Sequence, residues 1–220
     1  MTVVENKEIQ HRGPGRPQAR SDEDTLDLIL TAAGEVFRTT GYAGAAMSKV
    51  AQRAGVSTKT LYRLVPTKAE LFKQVIASRA GDFILAVGKL ESDRGCLAEG
   101  LERLLIAYAH LALQPETVAV YRLVLSECSR FPEIAQTFYD DAINRTGEVM
   151  AEWLERQCRS GRIKLDDSRL AAGMLRGMMT LEPQRAAMLG QASLPAAAQI
   201  AERARACARL FLEGCLVRPP

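Results

Sequence analysis

Apolar residues recur every three or four positions along most of the chain, and this spacing places them on one face of an α-helix. β-branched residues do not alternate with polar ones over any useful length, so strands are not expected. The clearest apolar face lies between Ser21 and Gly41 and consists of Leu26, Ile29, Leu30, Ala33, Val36 and Phe37. The pattern predicts an all-α protein.

Three helices are expected in the first third of the chain. Ser21, followed by three acidic residues, predicts the start of the first helix, and Gly41 predicts its end. A second helix is expected over residues 47–54, after which Gly55 supplies a turn. Ser57 then caps a third helix that runs to about residue 64.

A longer fourth helix is expected after Pro66, which breaks the third. Thr67 and Glu70 have the spacing of a capping box, and the helical pattern continues to about residue 89. Such a helix is long enough to connect the first three helices to a second domain. Further helix starts are predicted at Pro115, at Pro132, at Asp166 or Asp167, and after Pro195.

Charge singles out one segment of the chain. Residues 36–69 contain no aspartate or glutamate but carry Arg38, Lys49, Arg53, Lys59, Arg63 and Lys68. The formal net charge of the whole chain is only +3, so this bias is local. A surface without acids is what binding to a phosphate backbone requires, and the segment is therefore predicted to dock on DNA.

Residues 48–63 within that segment follow a helix-turn-helix pattern, in which the exposed side chains of the second helix meet base edges. The side chains expected to contact DNA are Ser48, Ser57, Thr58, Lys59, Thr60, Tyr62 and Arg63. The alternative is a solvated helical hairpin with ordinary surface lysines. The coincidence of charge bias, turn glycine and helix cap favours DNA binding.

Residues 1–20 lack apolar periodicity and contain Gly13-Pro14-Gly15-Arg16-Pro17, which cannot hold a helix. Arg12, Arg16 and Arg20 surround a Gly-Arg-Pro core similar to an AT-hook, whose extended arginine enters a narrow A·T minor groove. The alternative is a disordered, mildly basic tail. The sequence leaves both interpretations open.

A set of short motifs spreads over residues 28–76: Ile29-Leu-Thr-Ala-Ala, Phe37, Gly41-Tyr42, Val50-Ala51, Ala54-Gly-Val-Ser57, Thr60-Leu-Tyr62 and Lys68-x-Glu70-Leu-Phe72. Together they resemble the DNA-binding head of the TetR family of transcriptional regulators. The resemblance implies a homodimer that places the third helix of each head in the major groove. It also implies that Lys59, Thr60 and Tyr62 supply major-groove and phosphate contacts, and that Lys68 contacts a phosphate.

Three places depart from the family pattern. Ala45 and Ala46 stand where a threonine or serine usually caps the second helix and touches a phosphate, so one backbone contact is expected to be missing. Leu64-Val65 replaces an aromatic pair, which alters packing against the fourth helix. Thr58-Lys59 replaces the more frequent Lys-Gly, which shifts a cation by one position and affects the base preference.

Residues 121–177 resemble the C-terminal domain of AefR-type members of the family. The resemblance is carried by Ser126-Glu127-x-x-Arg130-Phe-Pro-Glu133 and by Gly161-Arg162-Ile163. Such regulators are associated with efflux, envelope or quorum-related genes, which implies a class of target but no ligand. Three regions are therefore expected: a flexible basic arm at 1–20, a DNA-binding domain at 21–66, and a ligand-binding and dimerisation domain at 67–220, of which 67–89 is the connecting helix.

Two functions remain open for the C-terminal half. It is either a small-molecule sensor or a dimerisation scaffold whose DNA binding is set by a protein partner or by abundance. A ligand pocket between helices is expected to involve Tyr108, Tyr121, Leu125, Phe138, Trp153, Met174 and Met178, although each of these is also a normal core residue. The preferred interpretation is a homodimeric repressor released by an apolar or amphipathic small molecule.

Dimerisation is expected to use the last two helices. Small and apolar positions suited to close packing are Leu170, Met174, Gly177, Met178, Cys207, Ala208, Phe211 and Gly214. Two-fold symmetry then requires a pseudo-palindromic operator in double-stranded DNA, with half-sites about one helical turn apart.

Neither a membrane protein nor an enzyme is expected. No apolar run approaches the roughly 20 residues that span a bilayer, and the N-terminus has no hydrophobic signal region, so a cytoplasmic location is predicted. The only histidines are His11 and His110, the latter expected in the core, and no nucleotide-binding or nucleophile motif occurs. The five cysteines are expected to be reduced core residues, and no cofactor or metal is implied.

Overall fold

A computed structural model of the protein describes residues 20–90 and 96–215, without the side chains of Leu90 and Cys215. Every regular element in these two ranges is helical, which confirms the expected all-α fold. The helices are α1 (Asp22–Gly44), α2 (Met47–Ala54), α3 (Thr58–Leu64), α4 (Lys68–Leu90), α5 (Leu97–Ala112), α6 (Pro115–Glu127), α7 (Pro132–Phe138), α8 (Arg145–Arg159), α9 (Ser168–Met188) and α10 (Ala197–Cys215).

The turn between α2 and α3 has the geometry that its sequence predicts. Gly55 adopts a left-handed conformation with φ 67° and ψ 32°, which a side chain would disfavour. The Val56 N–H then donates to the Ala51 carbonyl at 3.0 Å. Ser57 Oγ accepts the Thr60 N–H at 3.0 Å and starts α3. The helix-turn-helix is thus fixed by local chemistry.

An aromatic cluster forms the centre of the core that α1–α4 share. The ring of Phe72 on α4 meets Phe37 edge-on at 5.4 Å and Tyr42 at 5.6 Å between centroids. Phe131, which precedes α7, meets Tyr42 at 5.2 Å. Val65 is fully buried, so the aliphatic pair after α3 is accommodated in this core. The core of the first four helices (the head) therefore extends into α6 and α7.

A second core joins α5, α8, α9 and α10 around the far half of α4. Met150 and Leu154 on α8, together with Leu175 on α9, are completely excluded from solvent. A π-helical turn over Tyr139–Asn144 runs α7 into α8 without a break. The sequence did not predict this turn, because no proline, glycine or cap marks it. We refer to residues from α5 onward as the body.

Surface positions correct three expectations about the body. Cys96 is exposed at the start of α5 and His110 is exposed near its end, so neither is a core residue. Cys207, which was expected in the dimer contact, and Ala208 beside it are instead buried in the second core. The apolar side chains exposed along α9 and α10 are Leu170, Met174, Leu181 and Leu210. The first three follow one side of α9, with Gly177 between them.

The last turn of α1 is interrupted at Gly41, which has φ 72° and ψ 173°, and one short turn continues to Gly44. The break leaves two backbone N–H groups without helical partners. The Glu127 carboxylate at the end of α6 accepts both of them, from Tyr42 at 2.8 Å and from Ala43 at 2.9 Å. On the carbonyl side, Lys68 Nζ donates to the Tyr42 oxygen at 2.8 Å.

We predict that Gly41→Ala destabilises the protein by about 1–3 kcal/mol, because an L residue is strained at this φ and ψ. In addition, the new Cβ would lie 2.5 Å from Glu127 Oε1 and displace the carboxylate. Chemical denaturation measures the free energy of unfolding. Gly44→Ala is the matched control, since its Cβ meets only Thr40 Cβ at an ordinary 3.5 Å. Equal losses in the two variants would contradict this account of the break.

Candidate nucleic-acid interface and interior cavity

The outer surface of the helix-turn-helix carries several of the expected DNA-contacting residues. Ser48 on α2 is exposed, as are Thr58 and Lys59 at the start of α3. Tyr62 is half exposed on the same face, whereas Leu61 is completely buried and holds α3 against the head. The side chains of Ser48, Thr58, Lys59 and Tyr62 are thus accessible to a ligand as large as a duplex.

Ser57 and Thr60 are occupied mainly with capping α3. Their hydroxyls lie 2.8 Å apart, and Ser57 Oγ also accepts the Thr60 N–H. At the start of α2, Ala46 occupies the cap position and makes no side-chain hydrogen bond. The start of α2 is therefore uncapped, as its sequence predicted. Its first N–H groups are left free to bind a phosphate.

Two of the expected cations are paired with acidic residues of α1. The charge pattern of residues 36–69 could not predict these pairs, because both acids lie before that segment. The Arg63 guanidinium makes two hydrogen bonds to the Asp22 carboxylate, at 2.6 and 2.7 Å. Arg53 pairs with Glu35 through one hydrogen bond from Nε. The hydrogen bond from Arg63 is the main cause that lowers the pKa of Asp22. Arg63 was expected to be available to DNA; in this structure it is held by Asp22.

Lys68 lies below the recognition surface rather than on it. Its Nζ donates to the Tyr42 carbonyl and sits 4.7 Å from the centroid of the Tyr42 ring, half-buried. It therefore stabilises the end of α1 in addition to any phosphate contact. Arg20 is exposed just before α1, and Arg12 and Arg16 lie outside the described residues.

A cavity of about 220 Å³ lies in the body between α4, α5, α6, α9 and the π-helical turn. Tyr108, Tyr121 and Phe138 line it, as the sequence interpretation expected. The residues that line it from α4 are Ile76, Arg79 and Ala80, and those from α9 are Gly173, Arg176, Gly177, Thr180, Leu181 and Gln184. The cavity thus shares a wall with the helix that begins in the head.

Four residues expected at this pocket lie elsewhere. Leu125 and Met174 point to solvent, with more than half of each side chain exposed. Trp153 is buried in the second core, beside Gly100, and Met178 packs at the edge of the same core. Apolar spacing identified the right helices but not their rotation: Met174 follows the cavity-lining Gly173, and one residue turns a helix by about 100°.

Six polar residues that line the cavity were not among those the sequence interpretation expected, and three of them, Arg79, Thr117 and Arg176, are relevant to its chemistry. Thr117 Oγ1 and Arg176 Nε are buried and have no hydrogen-bond partner within the described residues. Arg79 also lines the cavity, and burial is the main cause that lowers its pKa. Both arginines stand between apolar positions on their helices, an unusual setting for a charged residue. This position between apolar residues is the only feature of the sequence that could have identified the two arginines as lining the cavity.

Within residues 20–90 and 96–215, no cluster of three or more histidine, cysteine, aspartate or glutamate side chains could hold a metal ion. In the same part of the chain, no helix combines the length and the apolar character needed to cross a bilayer.

Family profiles match both halves of the chain. Residues 29–75 match the bacterial regulatory proteins of the tetR family. Residues 99–214 match the C-terminal domain of AefR-like transcriptional repressors. The first match covers the helix-turn-helix, and the second covers the body with its cavity.

Solved structures of similar proteins cover nearly the whole chain. A putative TetR-family regulator from Mesorhizobium loti MAFF303099 is 26% identical, with a TM-score of 0.78, over 90% of this chain and 100% of the other. The flavonoid-responsive regulator FrrA is 27% identical, with a TM-score of 0.66, over the same shares.

A curated relative is similar over a shorter stretch. The HTH-type transcriptional activator FasR of Mycolicibacterium smegmatis is 39% identical over 59 residues, which are 27% of each chain. The matched stretch thus spans about a quarter of that protein. With both profiles and the full-length structural likeness in agreement, the chain belongs to the TetR family of transcriptional regulators, which are DNA-binding proteins rather than enzymes.

Proposed function

We propose that this protein is a homodimeric repressor whose binding to a pseudo-palindromic operator is released by an apolar or amphipathic small molecule. The observation that carries the proposal is the cavity wall formed by Ile76, Arg79 and Ala80 of α4. The first turns of the same helix pack in the head through Leu71 and Phe72, which are buried there. A molecule in the cavity therefore touches the helix that positions the DNA-binding surface.

DNA recognition is assigned to α3 and its neighbours. In this proposal Lys59, Thr58 and Tyr62 meet base edges and phosphates in the major groove, and Ser48 with the uncapped start of α2 meets a phosphate. Arg20 and the arm before it add a contact outside the major groove. The regions 1–20, 21–66 and 67–220 then correspond to the arm, the DNA-binding domain, and the ligand-binding and dimerisation domain.

Dimerisation is assigned to the exposed apolar stripe of α9 together with α10. Leu170, Met174 and Leu210 are each more than half exposed, although such side chains are normally covered. Two copies related by a two-fold axis would cover each other's stripe and set the two α3 helices about one turn of DNA apart.

Release requires the effector to prefer the state that does not bind DNA. A ligand with equal affinity for both states shifts nothing, and moving the population from 1:99 to 99:1 takes about 5.5 kcal/mol of differential binding. The contact with α4 supplies a route for such a preference, because a shift of this helix changes the separation of the two recognition helices.

The experiment that tests this function uses the full chain. Selection from a random duplex library yields the operator, and a thermal-shift screen of apolar and amphipathic compounds yields ligands of the folded state. Operator affinity is then measured with and without each ligand. A lower affinity in the presence of a stabilising compound supports the proposal. A screen in which no compound binds would instead favour the ligand-free scaffold. Increased transcription from a promoter carrying the operator would make the protein an activator.

We predict that Lys59→Ala weakens operator binding by about 1–3 kcal/mol and relaxes the base preference near the contact. Lys68→Ala should weaken binding to all duplexes similarly, because its Nζ holds the end of α1 instead of reading bases. Affinities for the operator and for single-base variants of it separate the two effects. An unchanged base preference in Lys59→Ala would contradict the proposed placement of α3.

We predict that Asp22→Asn increases affinity for any duplex, because it releases Arg63 to contact a phosphate. The slope of log affinity against log salt concentration should steepen by about 0.9 for one more phosphate contact. Glu23→Gln is the matched control, since it removes the same charge from the same exposed turn of α1. If both substitutions act alike, the Arg63 pairing is irrelevant to DNA binding and only net charge counts.

We predict that replacing both Leu170 and Met174 with glutamate produces monomers and abolishes tight operator binding, because like charges would face each other across the two-fold axis. Analytical ultracentrifugation at micromolar concentration measures the mass. Leu85→Glu is the control, since Leu85 is an equally exposed apolar residue on α4. A wild-type protein that sediments as a monomer would rule out this dimer.

A further inference from the structure

Two guanidinium groups reach the interior cavity from opposite sides of the body. Arg79 comes from α4 and Arg176 from α9. Within the described part of the chain, neither forms a salt bridge with an acidic side chain. Glu116 and Asp82 act on Arg79 only through longer-range attraction. Buried charges are normally paired with groups of opposite sign, and these two arginines have no such partner in a salt bridge among the residues that the structure describes.

The hydrogen-bonding capacity of the cavity is also incomplete. Arg176 uses Nη1 to donate to the Ile143 carbonyl at 2.6 Å, but its buried Nε has no acceptor. Thr117 Oγ1 on the facing helix α6 is buried without a partner as well. Tyr108 lies beside these groups; burial is the main cause that raises the pKa of its phenol, and its hydrogen bonds with Thr180 and Arg176 act in the opposite direction. The buried Arg176 Nε–H therefore needs an acceptor, and the Thr117 hydroxyl can either donate or accept.

Most of the remaining wall is apolar, although Thr146, Thr180 and Gln184 also line it, and the volume of the cavity favours a small occupant. Ile76, Leu111, Val120 and Phe138 supply hydrocarbon and aromatic surface. An apolar cavity of about 150 Å³ holds one benzene molecule, so 220 Å³ corresponds to roughly ten non-hydrogen atoms. A long acyl chain would have to extend out through the open side of the cavity.

We propose that the effector is a small carboxylic acid with an aromatic or branched apolar body of about ten non-hydrogen atoms. Its carboxylate would satisfy the donors of Arg79, Arg176 and Thr117, and its body would fill the apolar wall. A carboxylate is the acceptor that matches a guanidinium fork, and it supplies the missing negative charge. This inference rests on the proposed function, because it names the ligand class of the same cavity.

Arg79 also connects the cavity to the head. A Cβ placed on Gly34 of α1 would lie only 3.4 Å from Arg79 Nη2, so the guanidinium spans from the cavity to the first helix of the head. An anion that draws this group inward loosens its contact with α1. Arg79 would then both bind the carboxylate and change the contact between the cavity and α1.

The test compares acids with uncharged molecules of the same shape. Phenylacetate and trans-cinnamate are titrated calorimetrically into the full-length protein at neutral pH and without DNA, in parallel with phenylacetamide and trans-cinnamamide. We expect each acid to bind at least tenfold more tightly than its amide. Arg79→Gln should remove this preference by weakening the binding of each acid more than that of its amide. Arg79 is chosen because substitution of Arg176 would also remove the hydrogen bond to Ile143.

Two controls keep the result specific. Arg145→Gln removes the same charge from an exposed position at the start of α8 and should leave acid binding intact. Thr117→Val keeps the side-chain shape and should lower acid affinity without destabilising the free protein, since the hydroxyl has no partner to lose. Equal loss of acid binding in Arg145→Gln and Arg79→Gln would overturn the assignment of the carboxylate site.

The remaining outcomes separate this inference from the proposed function. Amides that bind as tightly as the acids and release the operator would overturn the carboxylate while leaving effector-controlled repression in place. Palmitate binding more tightly than the two aromatic acids would overturn the expected size of the occupant. Acids that bind with the expected dependence on Arg79 but leave operator affinity unchanged would support the site and refute release. Absence of binding by every acid and amide overturns the inference.

Discussion

The arrangement of head and body depends on one carboxylate. Glu127, at the end of α6, accepts the backbone N–H groups of Tyr42 and Ala43, which the break at Gly41 leaves without helical partners. Both bonds are charge-assisted, and the one from Tyr42 is partly buried. Because α6 also lines the cavity through Tyr121, one helix carries both a cavity wall and the anchor of the head.

Packing reinforces this anchor. Phe131 places an edge against Tyr42 within the aromatic cluster of the head, and Val124 belongs to the same buried core. Closely packed interfaces of this kind have discrete arrangements rather than continuous ones. α4 and α6 both contribute to this core and to the cavity wall, so in the proposed mechanism they would link the position of α3 to the occupant of the cavity.

The sequence predicted what local chemistry determines. Ser57, Gly55 and Asp167 mark helix ends through hydrogen bonds within a few residues, so the corresponding boundaries agree with the structure. The Arg63–Asp22 pair joins residues 41 positions apart and depends on how α1 crosses α3, which periodicity does not encode. The sequence could not predict which residues line the cavity either, because this depends on the rotation of each helix after packing. The π-helical turn before α8 further shifts that rotation without a local signal.

If the cavity holds an effector as proposed, the two glycines that line it from α9 would affect how strongly the two sites of a dimer influence each other. Gly173 and Gly177 place no side chain between the cavity and the backbone of α9, and Leu181 both lines the cavity and lies on the exposed stripe. In the proposed dimer, the occupant of one protomer would be separated from the partner by little more than the thickness of a helix. The first binding event would then alter the energy of the second, so the response would follow a cooperative curve set by the pair of sites.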